Sequence, residues 1–166
     1  IDAISNNHYR TKNFFQKIEK IILLFKEEFQ KYLLNDEIFN FFKNNKRILL
    51  FLIKNKILKI DNLISPNFAK LYPKYFCKEI KEFESIDTKV LDDPNYEENR
   101  EKGENEEIYC ELIRNDSIRD FITYVEKNEL PLGTTIEQSI YETNPLLMKE
   151  SISLIQYAAF FGSEQI

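Results

Sequence analysis

Residues 153–166 carry the clearest structural signal in the chain and read SLIQYAAFFGSEQI. Ser153 can cap a helix, because its hydroxyl can accept a hydrogen bond from a backbone N–H of the first turn. Gly162 offers the positive φ that a turn between paired helices needs. The small residues Ala158 and Ala159 allow neighbouring hairpins to approach closely, and Ile155 is expected to point into the stack. The segment therefore predicts one helix of a stacked helical hairpin.

A second hairpin of the same kind is predicted upstream, where residues 112–126 read LIRNDSIRDFITYVE. Helices are expected over 108–113 and 118–125, with a cap at Asn115 or Asp116. Asp116 takes the turn position that Gly162 takes in the later segment, and these two residues are 162 − 116 = 46 positions apart. Between the two segments, TIEQ at 135–138 fits a capping box and predicts a further helix.

Together, the two segments resemble the ankyrin repeat, whose pattern is T-P-L-H-x-A-A-x-x-G-H-x-x-I. The alanine pair, the glycine and the final isoleucine are kept, whereas Leu154 replaces proline, and Gln156 and Ser163 replace the two histidines. An ankyrin unit is about 33 residues long, so the wider spacing implies an insertion of about 13 residues. The resemblance places this insertion in the additional helix over 135–144.

From about Asn99 onward the chain resembles the ankyrin-associated domain of unknown function that precedes ankyrin arrays in many trichomonad protist proteins. This resemblance rests on NREKGEN at 99–105 and on the two hairpin segments. It implies a long cytosolic protein whose repeats continue past Ile166. It implies no activity, cofactor or catalytic residue.

The N-terminal half is predicted to be helical. Apolar residues recur every three or four positions from Tyr9 to Leu34, which predicts one long amphipathic helix. Further short helices are predicted over 38–42, 47–54, 65–71 and 73–83, the last two opened by prolines in their first turns.

The predicted fold class is therefore all-α, with short helix-turn-helix hairpins stacked as a degenerate ankyrin-like solenoid behind an N-terminal helical region. We expect three parts: the N-terminal helical region at 1–90, an acidic connector at 91–107, and the degenerate repeats, truncated at the C-terminus, at 108–166.

The charge balance argues against a nucleic-acid binder. Asp and Glu number 28 against 23 Lys and Arg, which gives a net charge of −5 and a pI near 5.1, whereas nucleic-acid affinity comes mainly from cations that neutralise phosphates. Residues 43–59 are locally basic with interleaved aromatics, a pattern that a nucleic-acid groove also uses. Apolar residues at helical spacing are better explained as core, so we expect no nucleic acid and an attraction between this basic segment and the acidic run that follows Glu84.

No membrane insertion is expected either. The most apolar run, at 48–53, is far shorter than the roughly 18 to 20 residues that a bilayer span needs. The cytosol is the expected compartment.

No residue pattern in the sequence predicts catalysis or a bound cofactor. Cys77 and Cys110 are too far apart for a local zinc or redox pair and fit apolar helical patterns, so they are predicted to be core thiols. His8 has no neighbouring Cys or His, and no metal site is expected. Paired carboxylates such as Glu97-Glu98 stand in polar runs without a pocket. We expect that this protein is not an enzyme. The alternative is a hydrolase whose catalytic groups are scattered Asp and Glu side chains.

The favoured function is a non-catalytic protein–protein interaction scaffold, the N-terminal part of an ankyrin-repeat protein with a protein partner. Its predicted partner-binding residues are Tyr157, Phe160 and Phe161, which fall at or beside variable repeat positions; alternatively, they pack against the inserted helix or the next repeat. Because repeats contact only their neighbours, Ile155, Ala159 and Ile166 are expected to be partly uncovered. A second possible function is homodimerisation through the long aromatic N-terminal helix.

Overall fold

The computed structural model describes residues 14–131, 133–149 and 152–166. Two compact units, residues 14–103 and Glu104–Ile166, make up this part of the chain, and each is described by itself. Regular structure in the described residues is helical, apart from an isolated antiparallel bridge between Thr135 and Ser153. The predicted all-α class is therefore confirmed at this level.

The first unit contains seven described α-helices and one 3₁₀ turn. The helices are α1 (Phe14–Leu24), α2 (Lys26–Tyr32), α3 (Asn35–Phe42), α4 (Lys46–Lys54), α5 (Ser65–Leu71), α6 (Cys77–Ile80) and α7 (Tyr96–Lys102), and the 3₁₀ turn is Lys89–Asp92. Aromatic rings fill the centre of the unit: the Phe68 ring lies 4.9 Å from that of Phe39 and 4.7 Å from that of Phe76.

The single helix predicted from Tyr9 to Leu34 is instead two helices separated at Phe25, and residues 9–13 of that prediction lie outside the described residues. The α2 segment is held by polar contacts of its own, since Lys26 and Gln30 donate hydrogen bonds of 2.9 Å to the carbonyls of Asn55 and Lys56. These two hydrogen bonds hold only α2, and the apolar periodicity of the sequence does not predict them.

Within the segment predicted as an acidic connector, the structure has helix α7. Its acidic side chains Glu97 and Glu101 ion-pair with Lys54 of α4, which confirms the expected attraction between the basic and acidic stretches. Two residues of α7, Tyr96 and Arg100, are buried. The helix is therefore packed on one side and solvated on the other.

The second unit contains α8 (Ile108–Arg114), α9 (Ile118–Lys127), α10 (Pro145–Lys149) and α11 (Leu154–Phe161). Helix α8 packs against both α9 and α11. The core between them includes Cys110, Ile113, Phe121, Leu154 and Tyr157. Both hairpin segments that the sequence identified are therefore helical.

The additional helix predicted over 135–144 is wrong, because none of these residues is helical: apart from the bridge at Thr135 and a bend at 140–141, their backbone is irregular. Ile136 donates its N–H to the Ile152 carbonyl over 2.7 Å, and Leu154 donates to the Thr134 carbonyl over 3.2 Å. With Ile136 and Tyr141 buried at 5% and 2% exposure, the segment gains more from packing alongside residues 152–154 than from a helix of its own.

Candidate functional site

The candidate site is the surface around α11, whose two ends are set by local chemistry. At its start, the Ser153 hydroxyl accepts a hydrogen bond from the Gln156 N–H over 3.3 Å, and the Gln156 side chain accepts one from the Ser153 N–H over 2.8 Å. At its end, Gly162 has φ +66°, a left-handed conformation that costs glycine little. Both terminal roles predicted from the sequence are confirmed.

The turn after α8 ends in the same way. Asp116 has φ +50°, and aspartate is among the few residues other than glycine that adopt this conformation readily. The Ser117 backbone N–H donates to the Leu112 carbonyl over 3.0 Å, and the Ser163 backbone N–H, 46 positions later, donates to the Ala158 carbonyl over the same distance. Asp116 and Gly162 therefore share a left-handed backbone conformation, and their equivalence as repeat positions stays a prediction.

These two turns also contact each other directly. The Ser163 hydroxyl donates a hydrogen bond of 2.6 Å to the Ile113 carbonyl, and the Gln165 N–H donates one of 3.2 Å to the Asp116 carboxylate. The C-terminal ends of α8 and α11 therefore lie side by side.

Tyr157, one of the predicted partner-binding residues, lies in the interior of the second unit. Its side chain is 1% exposed, and its hydroxyl accepts a 2.6 Å hydrogen bond from Arg114, which also pairs with Glu104 at 3.2 Å. Burial raises the pKa of the Tyr157 phenol, and it raises the pKa of the nearby Cys110 thiol to about 12. Tyr157 and Cys110 therefore remain neutral near pH 7 and serve the packing between α8 and α11.

Phe160 and Phe161, the other two predicted partner-binding residues, are half-buried. Their rings lie 5.1 Å apart at a steep angle, and the Phe161 ring is 4.7 Å from that of Tyr157. Both side chains pack against the core of the second unit. The structure therefore brings all three predicted residues together as one aromatic cluster, of which only Phe160 and Phe161 reach the surface.

Beside this cluster, α11 presents an apolar face to solvent. Ile155 is 67% exposed, Ala159 is exposed, and Ile166 is half-buried, as expected for residues that a further hairpin would cover. The positions 46 residues earlier are Tyr109 and Ile113, which are 8% and 0% exposed. At these two positions α8 is buried and α11 is open, whereas Leu154 of α11 is 2% exposed and Ile108, 46 positions earlier, is 57% exposed.

A buried polar cluster that the sequence did not predict fixes the segment leading into α8. The Glu142 carboxylate, 3% exposed, accepts hydrogen bonds from the backbone N–H groups of Asn144 at 2.7 Å and Asn105 at 3.3 Å. Asn105 in turn donates to the Glu137 carbonyl over 3.0 Å. The sequence gives one indication of this polar cluster, which is that the residue at position 142 is a glutamate among apolar and small residues.

The first unit contains a second group of residues that sequence reasoning missed. The Arg100 side chain is 0% exposed and pairs with Glu79 at 2.6 Å, and it also donates a hydrogen bond of 3.1 Å to the Tyr96 hydroxyl. The Tyr96 hydroxyl lies 3.4 Å from the thiol of Cys77. Burial raises the pKa of Tyr96. Arg100, Tyr96 and Cys77 are buried, and the Glu79 side chain is 18% exposed, so the network is a structural element at the edge of the core.

A cavity of about 270 Å³ in the first unit is lined by charged side chains of α1, α4 and α7. Burial raises the pKa of Glu19, although Arg47 at 3.9 Å acts in the opposite direction. Arg47 also donates a 2.9 Å hydrogen bond to the Lys102 carbonyl, and Lys54 pairs with Glu101. The charges that line the cavity are thus matched by opposite charges, which bind these helices to one another.

The described residues contain no group of three or more His, Cys, Asp or Glu side chains placed to hold a metal ion. Among the same residues, no helix is both long and apolar enough to cross a membrane. Cys77 and Cys110 are buried and unpaired, as predicted for core thiols, and His8 lies outside the described residues.

Comparison with known proteins adds no relative. No protein-family model matches the sequence, and no significant match is found to a curated protein or to a solved structure.

Proposed function

We propose that this chain is a non-catalytic protein–protein interaction scaffold, and that residues 108–166 form a degenerate ankyrin-like stack of helical hairpins. The support is local: the turns that follow α8 and α11 share a conformation and a bonding pattern, and they are hydrogen-bonded to each other. In a stack of this kind each hairpin contacts only its neighbours, so the last one leaves a face for another hairpin.

The observation that carries the proposal is the open apolar face of α11, which lies beside the face through which α11 packs against α8. Tyr109 and Ile113 are buried, whereas Ile155 and Ala159 are open to solvent. Burying a side chain the size of isoleucine contributes roughly 1.5–3 kcal/mol. The open face therefore offers a favourable surface to a helical hairpin of matching shape.

The proposed partner is a protein that presents such a hairpin, and Phe160 and Phe161 are the aromatic side chains best placed to add to that contact. Tyr157 lies beneath this surface, where its hydroxyl accepts a hydrogen bond from Arg114. The cytosol is the proposed compartment, following from the resemblance to ankyrin-associated proteins and not from the fold.

The experiment that tests this proposal extends the stack. Two designed consensus ankyrin repeats are fused after Ile166, and denaturant-dependent hydrogen exchange is measured over the peptide that covers α8. We expect the fusion to raise the denaturant midpoint for exchange of that peptide, because covering α11 stabilises the helix behind it. An unchanged midpoint would count against a stacking face.

Two matched variants test whether the higher denaturant midpoint depends on the apolar face of α11. Ile155→Asp places a charge in the proposed interface and should abolish the gain. Ile122→Asp alters a residue of α9 that is also exposed, at 47%, and should leave the gain intact. Loss of the gain in both variants, or in neither, would contradict the assignment of the face to α11.

A further inference from the structure

A second cavity of the first unit, of about 500 Å³, lies between α2, α3 and the segment at 56–61 that follows α4. Its volume is in the range of cavities that hold small organic molecules. Apolar side chains are part of its lining: Ile38 and Ile57 are 2% and 4% exposed, and Leu33 and Ile60 are half-buried. The cavity therefore offers a surface that an aliphatic group can cover.

Hydrogen bonds from α2 and α3 hold the wall of this cavity in place. Gln30 donates to the Lys56 carbonyl over 2.9 Å, and Asn35 donates to the Lys59 carbonyl. Asn35 also accepts a 3.0 Å hydrogen bond from the Lys59 N–H. The wall is therefore formed before any ligand arrives, and two of its carbonyl oxygens, which would repel an anion, are already engaged by donors.

The charged groups of the lining favour an anion. Among the described residues, the ammonium groups of Lys56 and Lys59 have no carboxylate within ion-pair distance, and both side chains are exposed. The carboxylate of Asp61, which also lines the cavity, accepts hydrogen bonds from Asn35 at 3.1 Å and from the backbone N–H groups of 63–64 at 2.9 and 3.1 Å. The negative charge is thus bound to the protein's own donors, whereas the two positive charges are open to a ligand.

Lys56 also has an unusual backbone conformation for a lysine. Its φ of +58° is left-handed, and glycine and asparagine adopt this conformation more readily than lysine does. Strained residues of this kind are found preferentially at ligand-binding sites. The conformation of Lys56 is therefore an observation, separate from the volume of the cavity, that favours a ligand beside this residue.

We propose that this cavity binds a small organic anion with an aliphatic body, of the class of medium-chain carboxylates. Lys56 and Lys59 bind the carboxylate, and the alkyl chain lies against Leu33, Ile38 and Ile57. The site belongs to the first unit and is independent of the stacking face proposed for α11.

The test is a titration of the full chain with sodium octanoate below its micelle concentration, followed by NMR of the leucine and isoleucine methyl groups. We expect saturable shifts of the signals of Leu33, Ile38 and Ile57. The signal of Ile155, a 67% exposed residue of the second unit, should not move. Shifts that do not saturate, or that are as large at Ile155, would indicate general adsorption to apolar surface and overturn the proposal.

Two further probes separate the charge of the ligand from its chain. Octanol keeps the chain and lacks the charge, and loss of a charged hydrogen bond weakens binding about tenfold. Acetate keeps the charge and lacks the chain, and each buried methylene group contributes roughly fourfold in affinity. Both probes should therefore bind more weakly than octanoate, and octanol that binds as tightly as octanoate would contradict an anion site.

Matched lysine variants test the two cations. The K56Q/K59Q variant should bind octanoate about tenfold more weakly, with the methyl spectrum of the free protein otherwise unchanged. Lys70→Gln alters an exposed lysine of α5 in the same unit and should bind as the wild type does. Undiminished binding by K56Q/K59Q would overturn the proposal. A wild type that binds phosphatidylglycerol vesicles and shows no shifts with octanoate would also overturn it, because the lysines would then belong to a membrane-facing surface.

Discussion

The Ser163 hydroxyl donates a 2.6 Å hydrogen bond to the Ile113 carbonyl, and thereby joins the turn that follows α11 to the last turn of α8. A helix leaves its final carbonyls without partners inside the helix. The Ile113 carbonyl accepts one hydrogen bond from the Asp116 N–H of its own turn, at 3.0 Å, and Ser163 is a second donor. The contact is made between residues that are 50 positions apart, so it reports on packing and not on local conformation.

Removing this hydroxyl should weaken the second unit. A half-buried hydrogen bond contributes about 1 kcal/mol to stability, so Ser163→Ala is expected to lower the free energy of unfolding by about that amount in chemical denaturation. Ser117, at the equivalent place 46 residues earlier, makes no side-chain capping bond. Ser117→Ala should therefore stay within about 0.5 kcal/mol of the wild type, and equal losses in the two variants would refute a specific role for Ser163.

Gly162 tests the turn conformation itself. A Cβ added at Gly162 would meet nothing within 4 Å, but its φ of +66° penalises any L side chain. Gly162→Ala should therefore cost roughly 1–2 kcal/mol of stability from backbone strain alone. Gly133 is equally uncrowded, and its φ is outside the left-handed range, so Gly133→Ala should be neutral or slightly stabilising. Thermal or denaturant melts of the two variants distinguish strain from a general effect of losing glycine.

Breaking the buried ion pair of the first unit should cost more stability than either of these changes. Glu79→Gln leaves the Arg100 charge, which is 0% exposed, without an anionic partner of the same quality. Breaking a buried pair in this way costs about 3 kcal/mol or more. Glu98→Gln breaks the exposed pair with Lys102 on the same helix as Arg100 and should cost less than about 0.5 kcal/mol. Similar denaturation midpoints for the two variants would show that Arg100 is solvated in solution.

The second unit should lose stability as pH rises through the titration of Glu107. Burial, followed by repulsion from Glu106 and Glu137, raises the pKa of Glu107 above 4.5. The folded state therefore holds this proton more tightly than the unfolded state, so stability is highest below the ordinary glutamate pKa and falls as pH increases through the raised value.

Glu107→Gln removes that ionisation. The variant should unfold at a higher denaturant concentration than the wild type at pH 7, and the difference should shrink as pH falls below 4.5, the ordinary glutamate value. Glu111→Gln, one turn further along α8 and exposed, is the control. A difference between Glu107→Gln and the wild type that does not vary with pH would contradict this electrostatic account.

Much of the fold follows from local sequence because the relevant signals are local. Apolar spacing and prolines predict α3, α4 and α5, and Ser153 and Gly162 fix the ends of α11. The residues around 135–144 show where such reasoning fails. TIEQ satisfies the letters of a capping box, but those residues gain more by lying against Ile152 and burying Ile136 and Tyr141.

The buried polar groups were equally hard to predict. Arg100 stands in a run of charged residues that resembles a solvated connector, and only its spacing of four from Tyr96 places the two on one helical face. Tyr157 illustrates the reverse case. Its variable repeat position suggested exposure, whereas its contact with Arg114, 43 residues away, depends on packing that no local pattern encodes.

The proposed function depends most on the open face of α11, and the Ile155 methyl groups report on that face directly. Solvent paramagnetic relaxation of methyl signals is compared in the chain alone and in the chain fused to two further consensus repeats, with the exposed Leu63 as reference. We predict that Ile155 relaxes as fast as Leu63 in the chain alone and as slowly as the buried Ile113 after fusion. An Ile155 that remains as accessible as Leu63 in the fused chain would contradict the stacking face.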